Sequence, residues 1–135
     1  MLDHVTLGVK DVSNAGTFYD DVLGTLGYQR LFEEDIYAIG YGVDRPIFWV
    51  VDPLDDDERS SGPVFAKGTH VAFKAKTRDQ VEEFHRKALA RGGKCCGKPG
   101  LRTYHDDYYA AYIYDPEGHK IEAVCGNAPY NVEKV

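Results

Sequence analysis

The chain has 135 residues, is 43% hydrophobic and 28% charged, and carries a formal net charge of −6. That length fits one domain or two small fused halves. The acidic balance excludes nucleic acid as the main partner, because phosphate binding needs a basic stripe, and no apolar run reaches membrane-spanning length.

The N-terminus runs straight into a strand without a signal-peptide pattern, so a cytoplasmic protein is expected. Cys95, Cys96 and Cys125 form an odd set with no CxxC spacing, which fits reduced, free thiols.

In chain order, Val5, Leu7 and Val9 alternate with His4, Thr6 and Gly8, which predicts a strand over 2–9. Ser13 is a candidate helix cap. Ala15, Phe18, Tyr19, Val22 and Leu23 follow the spacing of one apolar helical face, and Gly24 and Gly27 end the helix. Strands are predicted over 28–34, 36–41 and 46–52. An acidic, proline-bracketed stretch follows, read as a linker over 54–67. The next strand covers 69–76, with Val71, Phe73 and Ala75 on one face. Thr77 and Gln80 have capping-box spacing. Val81, Phe84, His85, Ala88 and Leu89 then repeat the helical template, and Gly92 and Gly93 stop it. A short strand near 94–97, a strand over 108–114, an Asp115-Pro116-Glu117-Gly118 turn and a closing strand over 120–125 complete the second half. Residues 127–135 read as a tail. His85 takes the core position held by Tyr19 in the first half, and His119 is expected on the surface.

The second half therefore repeats the first. The offset that carries His4 onto His70 also carries Phe18 onto Phe84, Leu23 onto Leu89 and Gly27 onto Gly93. Such a repeat is one βαβββ unit used twice. Each half, at roughly 60 residues, is marginal as an independent core and needs the other half or a second chain. Strand parity puts His4 and His70 opposite the apolar alternates that cover the helices. In the closing strand, Ile121, Ala123 and Cys125 take the helix side and Glu122 the other. His4, His70 and Glu122 thus share the concave face of a curved sheet. Two imidazoles and a carboxylate make a facial triad suited to a divalent metal. A histidine at a strand start is equally the mark of a satisfied structural residue, and a lone strand Glu of a solvated one.

The duplicated βαβββ unit, the histidine in each first strand and Tyr114-Asp115-Pro116-Glu117-Gly118-His119-Lys120-Ile121-Glu122 together resemble the vicinal oxygen chelate superfamily. That group includes glyoxalase I, bleomycin- and fosfomycin-resistance proteins and extradiol dioxygenases. The resemblance implies an α+β fold: two tandem units (1–53 and 68–126, one domain over 1–126) forming a curved, half-open, barrel-like mixed sheet around a central cavity. It implies a divalent metal (Fe, Zn, Mn or Ni) on His4, His70 and Glu122, with Glu122 also carrying a proton. Metal-binding glyoxalases of this group add a ligand from the last strand of the first unit. Here that position is Trp49, so the ligand set looks more like that of a dioxygenase. Trp49 is instead a candidate pocket wall. Loops before the tyrosine-rich strand often line the pocket in this family, which makes Arg102, Tyr104, His105 and Tyr109 candidate substrate-binding residues. The resemblance supports a metal-dependent lyase, isomerase or ring-cleaving dioxygenase acting on a small molecule as a homodimer, in some relatives with the site shared between chains. The other expectation is a metal-free protein that sequesters a planar or cationic ligand, as bleomycin-resistance proteins do.

Overall fold

The computed structural model describes residues 1–53 and 68–128. The predicted linker and all but the first two residues of the predicted tail lie outside them. The elements are β1 (Val5–Gly8), α1 (Val12–Gly24), β2 (Gln29–Glu34), β3 (Ala38–Gly42), β4 (Pro46–Val51), β5 (His70–Lys74), α2 (Arg78–Ala90), β6 (Lys94–Leu101), β7 (Tyr109–Tyr114) and β8 (Lys120–Cys125). They form two four-stranded mixed sheets, ordered β1-β4-β3-β2 and β5-β8-β7-β6. The same strand order appears in both halves, as a duplicated unit requires, and neither sheet closes into a barrel. In each unit the first and last strands run parallel, and the remaining pairs are antiparallel.

Local chemistry accounts for the element boundaries. The first helix is capped by Asp11, whose side chain accepts from Asn14 N at 2.9 Å; Ser13, the predicted cap, already lies inside the helix. Both residues are good caps, but only Asp11 has the extended backbone that a cap needs. In α2 Thr77 caps the helix as its spacing predicts, while Gln80 reaches back past the cap to the residue before it. Thr77 Oγ1 accepts from Gln80 N at 3.1 Å, and Gln80 Oε1 accepts from Lys76 N at 2.7 Å. Gly92 follows with φ +93°, the left-handed conformation that ends helices.

One face of each sheet packs on the helices in a single continuous core that includes Phe18, Tyr19, Phe48, Phe73, Phe84 and Ile121. Phe48 of the first sheet meets Phe73 of the second edge-on at 4.9 Å. The Asp115–His119 turn locks the two units together. Asp115 is buried and accepts from Tyr19 OH at 2.6 Å and from the Glu117 and His119 amides at 2.9 Å. Glu117 accepts from the Lys10 and Asp11 amides at 2.6 and 3.0 Å, just ahead of α1. His119 Nε2 donates to Gly8 O at 2.8 Å. His119 is thus buried, in contrast to the surface position expected for a turn residue. Its partner lies far away in sequence, where no local pattern reports it.

Candidate functional site

Register sets which side chains of the second sheet meet. Ala72 of β5 and Tyr112 of β7 both pair with Glu122 of β8, and His70 pairs with Lys120. Paired residues of neighbouring strands point to the same side. His70, Tyr112, Lys120 and Glu122 therefore share the face turned away from α2. They line an open cavity of about 460 Å³ together with Cys96, Gly97, Arg102, Tyr104 and Tyr108.

Glu122 lies at the base of this cavity and is only 1% exposed. A buried carboxylate needs hydrogen-bond donors, and it has two. His70 Nε2 donates to Oε1 at 3.0 Å, and the Tyr108 hydroxyl makes a short hydrogen bond to Oε2. Tyr108 is held edge-on by Tyr104 and His105, with centroids at 5.1 and 5.0 Å.

Two cations border the cavity. Arg102 Cζ and Lys120 Nζ lie 5.3 and 5.1 Å from the Tyr112 ring centroid. Arg102 is anchored by donating to Lys98 O at 2.7 Å. Among the described residues no carboxylate forms a salt bridge with either cation. Two cations with no carboxylate partner among the described residues, in a chain of net charge −6, make the cavity a local inversion of the overall field. Burial pushes the Tyr112 phenol up to about 12, helped by the neighbouring Glu122 charge. The Cys96 thiol is also raised by burial, against the opposing pull of Lys120.

The structure thus gathers His70, Glu122, Arg102 and Tyr104 of the candidate residues. The others lie elsewhere. His4 is exposed, hydrogen-bonds Asp3 at 2.7 Å, and borders a separate hollow with Leu2, Ile47, Val71 and Ala72. Among the described residues no three His, Cys, Asp or Glu side chains converge to hold a metal ion. Trp49 sits on the first sheet, where Thr6 pairs with it as Ala72 pairs with Glu122. Its ring is tilted against Phe32, with centroids 5.4 Å apart, and passes so close over Gly40 that a Cβ there would meet ring carbons at 2.9 Å. His105 is buried beside Asp107 and Tyr108, behind the cavity wall. Tyr109 turns toward α2, donating to Glu82 at 2.8 Å under Arg78.

Sequence reasoning did not single out Tyr108, Tyr112, Cys96 or Lys120 as site residues. Tyr108 and Tyr112 have the parity of Ala110, opposite to Tyr109. That alternation was the available signal, but it does not say which face holds the cavity.

The residues present fit part of a metal site. Two ligands at metal bond lengths of roughly 2.1 Å and at right angles sit about 3.0 Å apart. His70 Nε2 and Glu122 Oε1 have that separation. Ligation through Nε2 would require the tautomer with the ring proton on Nδ1.

Comparison with known proteins agrees with the architecture. The family model for the Glyoxalase/Bleomycin resistance protein/Dioxygenase superfamily matches residues 1–123. A glyoxalase/bleomycin resistance protein from Albidiferax ferrireducens T118 is 32% identical, with a TM-score of 0.78 covering 94% of this chain and 99% of that one. A glutathione transferase, FosA, of Serratia marcescens is 25% identical over 139 residues, covering 96% of this chain and 90% of the relative. A lactoylglutathione lyase from Agrobacterium tumefaciens shares the fold at 21% identity and a TM-score of 0.63, covering 93% of each chain. The duplicated strand order, the extent of the family match and these likenesses establish that the chain belongs to the Glyoxalase/Bleomycin resistance protein/Dioxygenase superfamily.

Proposed function

We propose that the protein is a metal-dependent enzyme of the glyoxalase or dioxygenase type, acting on a small anionic substrate with adjacent oxygens. The observation that carries this reading is the His70–Glu122 pair at the base of a cavity bordered by Arg102 and Lys120. In this reading His70 and Glu122 are two metal ligands and His4 is the third. Because His4 borders a different hollow of the same chain, the reading draws it from a second copy in a homodimer. A bound divalent ion (Fe, Zn, Mn or Ni) would supply Lewis-acid polarisation of the substrate oxygens.

The chain's own groups do the rest. Arg102 and Lys120 hold the anionic end, and Tyr104 and Tyr112 wall the cavity. Glu122 is also the carboxylate placed to take a substrate proton in lyase or isomerase chemistry. The names of the Serratia and Agrobacterium relatives, a glutathione transferase and a lactoylglutathione lyase, support an enzyme over a carrier.

The test is metal analysis of protein stripped and then reloaded with each of the four ions. Stoichiometric metal that is lost in His70→Ala and Glu122→Ala is the expected result. Wild-type protein that stays folded and retains none would sink the reading. A second reading, sequestration of a planar ligand without metal, draws support from the Phe32–Trp49 pair on the first sheet. It expects metal-free protein to bind aromatic ligands with quenching of Trp49 fluorescence.

A further inference from the structure

We propose that Tyr108 is a positioning residue for Glu122: its hydroxyl occupies Oε2, leaving Oε1 alone to face the metal beside His70. This inference rests on the reading of His70 and Glu122 as ligands. A carboxylate with both oxygens free can grip one ion with the pair. Here the two oxygens have different neighbours. Oε1 meets His70 Nε2 at 3.0 Å, and Oε2 accepts from Tyr108.

The donor is held firmly. Tyr108 is buried, packed edge-on against Tyr104 and His105. Its carbonyl accepts from Arg102 N at 2.8 Å, and its amide donates to His105 O at 3.3 Å. The preceding residue, Asp107, accepts from the Asn127 and Ala128 amides at 3.1 and 2.9 Å, just beyond the end of β8. The loop that delivers the hydroxyl is therefore clamped to the segment following the strand that carries Glu122. A donor fixed in that frame sets both the rotation of the carboxylate and the number of oxygens it offers. Partners of metal ligands act in this way and typically govern metal affinity by ten-fold or more.

The experiment is cobalt(II) titration of the full-length protein, with visible absorption and carboxylate infrared spectra of wild type and Tyr108→Phe. Glu122→Gln identifies the infrared band. The ring is retained in Tyr108→Phe, so packing is conserved while the donor is lost. Wild type is expected to show the wide band separation of a one-oxygen carboxylate ligand. Tyr108→Phe is expected to bind cobalt about ten-fold or more weakly, with an altered visible spectrum and a narrower separation. A merely structural role would change neither spectrum. Equal affinity and identical spectra in the two proteins would remove Tyr108 from this role while leaving the ligand reading intact. Folded wild type that binds no cobalt would overturn both. If Tyr108→Phe lacks a cooperative melt, the wild-type infrared spectrum decides alone, and a two-oxygen Glu122 overturns the proposal.

Discussion

The joint between the two units allows a quantitative test through Tyr19→Phe. The substitution removes one oxygen and leaves the ring packed against Phe18 and Phe48, at 4.9 and 5.1 Å. The lost bond is the 2.6 Å contact to Asp115 Oδ2, with both residues buried. Hydrogen bonds to charged groups contribute about 1.5–3 kcal/mol. Asp115 Oδ1 keeps the Glu117 and His119 amides at 2.9 Å, so the carboxylate retains two donors. The expected loss is accordingly about 2 kcal/mol. An unfolding entropy of roughly 2.1 cal/mol/K per residue converts this to a fall in Tm of about 7 °C. Urea titration followed by Trp49 fluorescence and far-ultraviolet circular dichroism measures it, with the urea slope unchanged from wild type. Tyr41→Phe is the comparison within one unit. Its hydroxyl donates to Asp20 at 2.9 Å, a carboxylate already paired with Arg30, so a smaller loss of about 1 kcal/mol is expected. A Tyr19→Phe loss below about 0.5 kcal/mol, the level of an ordinary surface change, would refute the reasoning.

Other expectations follow from the loop behind the cavity and from the thiols. Gly126 has φ +129°, and a Cβ there would collide with Asp107 O and sit 2.7 Å from His105 Cε1. Gly126→Ala should therefore destabilise the protein by about 2 kcal/mol in a denaturant titration; a neutral result would contradict this packing. The Asp107 carboxyl is held below its usual range by the Ala128 and Asn127 amides, with His105 adding to the effect. A lowered folded-state value means that this contribution is present above pH of about 4 and disappears as pH falls through the folded value. Amide exchange of Asn127 and Ala128, corrected for intrinsic rates, should speed up on acidification through that window, and a pH-independent protection factor would count against the link. Cys95 and Cys96 are exposed while Cys125 is buried. Iodoacetamide should label the first two in native protein and Cys125 only on unfolding, as peptide mass mapping would report. Rapid native labelling of Cys125 would place β8 wrongly.

Periodic features of the sequence carried most of the fold. Alternation in β8 separates Ile121, Ala123 and Cys125 from Glu122, and the structure keeps that division. It could not show that Glu122 is itself buried, because its cover comes from Tyr108 and His70 rather than from a helix. β6 was expected as a short strand over 94–97 and runs from Lys94 to Leu101. Its register shifts between Cys95 and Gly97 and again between Gly97 and Gly100, and such irregularity erases the period-two signal. Leu89 fits the apolar helical template yet is 43% exposed, whereas Leu23, its equivalent at the same place in α1, is fully buried. Of the candidate site, the His70–Glu122 meeting followed from parity plus adjacent strands. The positions of Trp49, His105 and Tyr109 depended on which sheet, which side and which loop path, and those are set by contacts distant in sequence.

The turn that joins β7 to β8 has a consequence for how this duplicated protein can change over time. Its anchors are Tyr19, Gly8 and the amides ahead of α1, all in the other half. Glu122 stands only a few positions after the residues they hold, Asp115, Glu117 and His119. The height at which the carboxylate enters its cavity is thus dictated by the copy that does not contain it. The two halves cannot drift apart as free modules, and splitting the chain between them should leave β8 and its Glu122 without their reference point.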